Sequence, residues 1–78
     1  MNKHRRDVAR SIRNTLINAL ETAHNLMDEE QEAIDNMPEN LQDSQRGQAM
    51  QDAVDALDNA IGFIEEAGDY LKEIIGEE

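Results

Sequence analysis

Ala49-Met-Gln-Asp-Ala-Val-Asp-Ala-Leu-Asp-Asn-Ala-Ile-Gly-Phe-Ile-Glu-Glu-Ala-Gly-Asp-Tyr-Leu-Lys-Glu-Ile-Ile75 decides the fold. Its apolar residues return every three or four positions along two adjacent rows. Met50, Val54, Leu57, Ile61, Ile64, Gly68, Leu71 and Ile75 form one; Ala49, Ala53, Ala56, Ala60, Phe63, Ala67, Tyr70 and Ile74 form the other. Every apolar residue of the stretch belongs to one row or the other, and only Gly68 interrupts them, which is the period of an amphipathic α-helix. Asp52, Asp55, Asp58, Glu65, Glu66, Asp69 and Glu73 take the remaining face, as a solvated surface does.

The first half of the chain repeats the design less cleanly. Ala9, Ile12, Leu16, Ala19, Ala23, Leu26, Glu30, Ala33 and Met37 step by threes and fours, with Glu30 the only polar member. The neighbouring row, Arg10, Arg13, Ile17, Leu20, His24, Met27, Gln31 and Ile34, is mixed, so this helix has a narrower dry face. The pattern predicts a first helix over about 4–36, an elbow at 37–44 and a second helix over about 45–75. Pro38 lacks a backbone donor and disfavours helical geometry at Met37, so the first helix should stop there. Ser44 is placed to cap the second helix, with Asp43 near its positive end. So short a connection makes the helices antiparallel neighbours, each arm ~45 Å long at ~1.5 Å per residue.

With the turn near residue 40, residues whose numbers sum to about 80 face each other. Arg5, Arg6, Arg10 and Arg13 should then lie beside Glu65, Glu66, Asp69, Glu73, Glu77 and Glu78. This gives the uneven charge a structural meaning. The chain carries a net charge of −11, yet its first thirteen residues hold five bases, Lys3 among them, against Asp7 alone. Exposed pairs of this kind contribute ~0.3–0.5 kcal/mol each, so they select the antiparallel arrangement more than they stabilise it.

Composition sets outer limits. Seventy-eight residues make one small domain, too short for a cleft walled by two layers of structure. Leu, Ile, Val and Phe supply only 16 residues, close to the share at which charged chains stay disordered, and it is the periodicity that places this one among folded proteins. The absence of Cys excludes a disulfide scaffold, a thiolate nucleophile and a zinc knuckle. No apolar run approaches the ~18 residues of a membrane span and the N-terminus has no signal-peptide core, so a soluble cytoplasmic protein with no membrane partner is expected.

A two-helix hairpin buries one row per helix, whereas the second helix has two. Its Ala-rich row, Ala49, Ala53, Ala56, Ala60, Phe63, Ala67, Tyr70 and Ile74, has no partner within the chain. A face that wide suits a bundle of four helices, and the simplest source of the missing two is another copy. The expected architecture is therefore all-α: an antiparallel, coiled-coil-like hairpin pairing through that row into a homodimeric four-helix bundle.

Catalytic chemistry finds little footing. Glu21-x-x-His24 matches the element that di-iron bundles use, but the dry face of the first helix is centred between Leu20 and Ala23, leaving His24 on its edge and Glu21 nearly outside. His24 should instead sit part-buried over Ala56, with no metal and no cofactor bound. Glu30, on a core row, should pair with Arg46 to fix register; the alternative makes Arg46 and Gly47 an exposed contact point at the elbow. Gly47, Gly62, Gly68 and Gly76 are isolated rather than a phosphate-cradling loop, and the carboxylates line a convex surface, so an enzyme is not expected.

Three binding modes remain. Seven carboxylates between Asp52 and Glu73 span ~32 Å of helix, one per ~4.5 Å, against one phosphate per ~3.4 Å of a DNA strand, which would let this face imitate a nucleic acid and occupy a basic groove. Alternatively, Lys3, Arg5, Arg6, Arg10 and Arg13 would contact RNA or DNA phosphates, as in the small RNA-binding helical-hairpin dimers of plasmid copy control that this architecture resembles. The third mode is a structural adaptor docking on a protein through apolar surface around Phe63, Tyr70 and Ile74. A protein partner is the leading expectation.

The segment Asp28-Glu-Glu-Gln-Glu-Ala-Ile-Asp-Asn-Met-Pro-Glu-Asn-Leu-Gln-Asp-Ser-Gln-Arg-Gly-Gln-Ala-Met50, with the Asp-x-x-Asp spacing that runs on to Asp58, resembles a group of small acidic proteins of bacterial and phage or prophage genomes. It covers about residues 28–60. The resemblance implies a helical hairpin and a mobile-element origin, and it carries over no catalytic or binding residue.

Overall fold

The computed structural model describes residues 1–76; Glu77 and Glu78, expected beside the basic N-terminus, lie outside the described residues. The chain is all-α. Helix α1 runs Lys3–Asp35, a single turn α2 runs Glu39–Gln42, and α3 runs Gln45–Ile75. The long helices therefore fall within a residue of their expected bounds, while the elbow, expected as a loop, contains a helical turn.

Each boundary has a local cause. Asn2 caps α1, its side-chain oxygen accepting from the Arg5 amide at 2.9 Å. At the far end the Asn36 amide donates to the Glu32 carbonyl and Met37 to Ile34, after which Pro38 ends the ladder. The Pro38 carbonyl then accepts from the Leu41 amide at 2.8 Å, closing α2. Ser44 caps α3 as expected: its Oγ accepts from the Gly47 amide at 3.2 Å and donates to the Leu41 carbonyl. Gly76 ends α3 at φ 93°, ψ −152°, a region open essentially to glycine alone.

The elbow is held by a close backbone approach. A Cβ built on Gly47 would stand 2.1 Å from the Gln42 carbonyl oxygen and 2.9 Å from that of Leu41. Gly47 is buried rather than an exposed contact point, because the C-terminal end of α2 rests directly on it.

α1 packs lengthwise on α3 in a hairpin of 58 × 16 × 14 Å. On α3 the bulky row is the one that packs: Met50, Val54, Leu57, Ile61, Ile64, Gly68, Leu71 and Ile75 are all buried or half-buried. On α1 neither expected row packs as a whole. The covered stripe runs between them, through Arg6, Ala9, Arg13, Leu16, Leu20, Ala23, Met27, Glu30 and Ile34 to Met37 in alternating steps of three and four. Ile12, Ala19, Leu26 and Ala33 are left exposed. The stripe shifts this way because Leu20, Met27 and Ile34 offer more apolar volume than the alanines beside them.

The resulting core is thin. Among the described residues the buried apolar side chains are Ala9, Ile34, Ile61 and Ile75, at 4–7% exposure, and none is fully enclosed. The radius of gyration is 17.4 Å, against about 11.5 Å for a compact domain of this length. The accessible surface is 5848 Å², against about 4,800 Å² for a typical folded chain of this mass.

Candidate functional site

Three surfaces differ sharply in chemistry. The first is the outer face of α3, where Asp52, Asp55, Asp58, Glu65, Glu66, Asp69 and Glu73 are all exposed. None of the seven takes part in an ion pair among the described residues. The helical period puts these carboxylates on the side of α3 away from the Ala-rich row, so the acidic and apolar surfaces divide its outer circumference between them.

The second surface is the basic end of α1. Lys3 and Arg5 are exposed, whereas Arg6, Arg10 and Arg13 are half-buried beside the packing stripe. Asp7 draws two of these bases to itself, with Lys3 Nζ at 3.0 Å and Arg10 Nη1 at 2.6 Å. The hydrogen bond from Lys3, reinforced by the Lys3 and Arg10 charges, holds the Asp7 carboxyl below its ordinary value despite an opposing desolvation. Arg6 donates to the Met1 carbonyl at 2.9 Å. Arg13 lines a groove with Glu65 and Asp69, as the expected register requires. Even so, Arg5, Arg6 and Arg13 make no salt bridge to Glu65, Glu66, Asp69 or Glu73, since such exposed pairs gain little over solvation.

The third surface is apolar. Ala49, Ala56, Ala60, Phe63, Ala67, Tyr70 and Ile74 are exposed and Ala53 is half-buried; Phe63 stands 71% exposed and Tyr70 62%. The sequence pattern alone did not associate this row with residues of α1. A groove of about 330 Å³ joins Val8 and Ile12 of α1 to Leu71 and Ile74 of α3. Ile12 is followed at seven-residue steps by exposed Ala19, Leu26 and Ala33, so the uncovered row of α1 lies on the same flank as the Ala-rich row of α3. Val8, Ile12, Leu26, Phe63, Tyr70 and Ile74 thus form one exposed flank spanning both helices. In the sequence the signal for it is the α1 row itself, of which Ile12, Ala19, Leu26 and Ala33 point outward instead of into the hairpin.

On the other flank a groove of about 210 Å³ is lined by Arg13, Leu16, Ile17, Leu20, Ile64, Glu65, Gly68 and Asp69. It opens where Gly68 contributes no side chain to the packing row. Leu16 and Ile64 both line this groove, and Ala9 and Leu71 share the first, which agrees with facing residues numbering to about 80.

The remaining expected contacts are not made. His24 is exposed rather than packed over Ala56, and Glu21 is exposed beside it. Both fall outside the stripe, which passes between Leu20 and Ala23. Glu30 is half-buried but forms no ion pair with exposed Arg46, whose side chain is free to stay in water at low cost. Among the described residues no group of three or more His, Asp or Glu side chains converges to hold a metal ion. No helix among them is long and apolar enough to cross a membrane. No protein-family model, curated protein or solved structure matches this chain.

Proposed function

We propose that this chain is a non-enzymatic interaction protein. It works as a homodimeric four-helix bundle that buries its apolar flank between two copies and turns the acidic faces of both α3 helices outward. Those faces occupy the basic groove of a protein that handles nucleic acid, with carboxylates standing where phosphates would bind. The observation that carries this reading is the division of α3 into a largely exposed apolar row and a separate row of seven exposed carboxylates that form no ion pair among the described residues. The carboxylates average one per ~4.5 Å, near the spacing of phosphates along a strand, in two runs separated by the ~10 Å from Asp58 to Glu65. The resemblance of the elbow to small acidic phage and prophage proteins supports a host protein as the target.

The competing reading uses exposed Lys3 and Arg5 to bind RNA or DNA directly. It is weakened by Asp7, which engages Lys3 and Arg10 at that same end. Electrophoretic shift with labelled RNA and DNA at physiological salt separates the two. A nucleic-acid mimic produces no shift, yet it releases DNA from a susceptible DNA-binding protein. Replacing Asp52, Asp55, Asp58 and Glu65 by their amides should abolish that release, and a salt-resistant shift abolished by Lys3→Ala and Arg5→Ala would replace this reading with the other.

A further inference from the structure

We infer that the two copies pair antiparallel through the flank of Val8, Ile12, Leu26, Phe63, Tyr70 and Ile74, the elbow of each lying beside the chain termini of the other. This rests on the homodimer reading above and specifies its geometry. Area argues for a second copy as the occupant. Two separate hairpins expose about 11,700 Å², twice the 5848 Å² of one, whereas a compact chain of twice the mass exposes about 7,900 Å². The difference, up to about 3,800 Å², exceeds the 1,200–2,000 Å² typical of stable interfaces.

Side-chain size and charge each set the direction. Toward the termini the flank is bulky, with Val8, Ile12, Tyr70 and Ile74; toward the elbow it is small, with Ala33, Ala49, Ala53 and Ala56, and Leu26 the one large residue. Antiparallel pairing sets the bulky half of each copy on the small half of the other, whereas parallel pairing sets bulk against bulk and leaves a gap at the elbow. The elbow half of the rod carries Asp28, Glu29, Glu30, Glu32, Asp35, Glu39 and Asp43, with Arg46 the one base near them in sequence. Parallel copies would bring these two clusters together, while antiparallel copies set each against the terminal end of the other, where Lys3, Arg5, Arg6, Arg10, Arg13 and Lys72 offset Asp7, Glu65, Glu66, Asp69 and Glu73. The two-fold axis then crosses mid-rod near Ala19 and Ala60, with Phe63 of each copy within one helical turn of it.

The chain has no cysteine, so single replacements report orientation cleanly. Ala60→Cys and Val8→Cys proteins, shown to be helical dimers by circular dichroism and light scattering, would be treated with a short bis-maleimide. Antiparallel pairing links Ala60→Cys to its own copy at least about tenfold more than Val8→Cys, because two Val8 positions lie about 33 Å apart at 1.5 Å per residue. Mixed Val8→Cys and Ala33→Cys chains should also link to each other. A dimer in which Val8→Cys links to itself as well as Ala60→Cys does would overturn the orientation while leaving the homodimer intact. A dimer linking at neither position would show that another face pairs, and a monomer at micromolar concentration would overturn both the orientation and the reading beneath it.

Discussion

Replacing Gly47 by Ala tests whether the elbow is held by backbone contact. In an ordinary helix interior the change stabilises, since Ala is favoured over Gly by about 1 kcal/mol. Here the added Cβ would stand 2.1 Å from the Gln42 carbonyl oxygen and 2.7 Å from its carbon. Both obstacles are backbone, so no side chain can swing away. Reaching ordinary van der Waals separation requires α2 to retreat by more than 1 Å. That retreat disturbs the Leu41 carbonyl, which accepts from both the amide and the hydroxyl of Ser44, and with it the cap of α3.

Overpacking costs typically about 1–3 kcal/mol and loss of a cap about 1 kcal/mol. Set against the propensity gain, the net effect is a destabilisation of about 1–3 kcal/mol. For a domain of this size, each kcal/mol lowers the melting temperature by about 4–8 °C. Urea and thermal unfolding followed by circular dichroism, at one fixed protein concentration, measure it. A Gly47→Ala protein as stable as the parent, or more so, would refute the close approach of α2 to α3.

Gly62 and Gly68 serve as internal controls: a Cβ at either meets nothing within 4 Å, so Gly62→Ala and Gly68→Ala should each raise the urea midpoint, by up to about 1 kcal/mol of stability. Asp7 titrates below its ordinary value of 3.8 because of Lys3 and Arg10, so its contribution is fully present above that value and is lost as pH falls through the lower folded one. Asp7→Asn should therefore melt earlier than the parent at neutral pH and together with it in strong acid, with carboxyl NMR placing the Asp7 midpoint below 3.8. Phe63, 71% exposed in the hairpin, should anchor the proposed dimer, and Phe63→Glu should weaken association by more than about 2 kcal/mol in sedimentation equilibrium. The melting temperature of the parent should rise with protein concentration, and that of Phe63→Glu should not.

The helical rows of Ala49–Ile75 made α3 legible down to which row packs, because eight positions at helical spacing, only Gly68 lacking an apolar side chain, leave one solution. The packing stripe of α1 was harder to place. Arg6, Arg13 and Glu30 interrupt it, and the cleaner-looking row beside it includes Ile12 and Leu26, which face outward. Ser44 was readable as a cap because its hydroxyl chemistry is local, whereas α2 was not, since Glu39–Gln42 is too short to show a period. The role of Gly47 left no trace at all: a close approach of two backbones has no side-chain signature. The acidic face was visible in full, while the apolar flank needed three dimensions, because its two halves lie on different helices and meet only through the register of the hairpin.

The distribution of apolar area sets what this small, highly charged chain can draw on for stability. Arg6, Arg13 and Glu30 occupy the α1 stripe at half-burial, so the contact between α1 and α3 supplies less hydrophobic stabilisation than ten apolar positions would. The missing area is found on the flank, where Phe63, Tyr70 and Val8 stay in contact with water in a single hairpin. In the dimer proposed above, folding and pairing would draw on separate but adjoining surfaces, and covering the second would complete what the first leaves marginal. The seven carboxylates of α3 repel one another along the rod, a cost that a thin two-helix core bears poorly and a four-helix core bears more easily. In the proposed dimer the apolar flank would supply the stability that lets seven carboxylates, none ion-paired among the described residues, be displayed on a rigid helix.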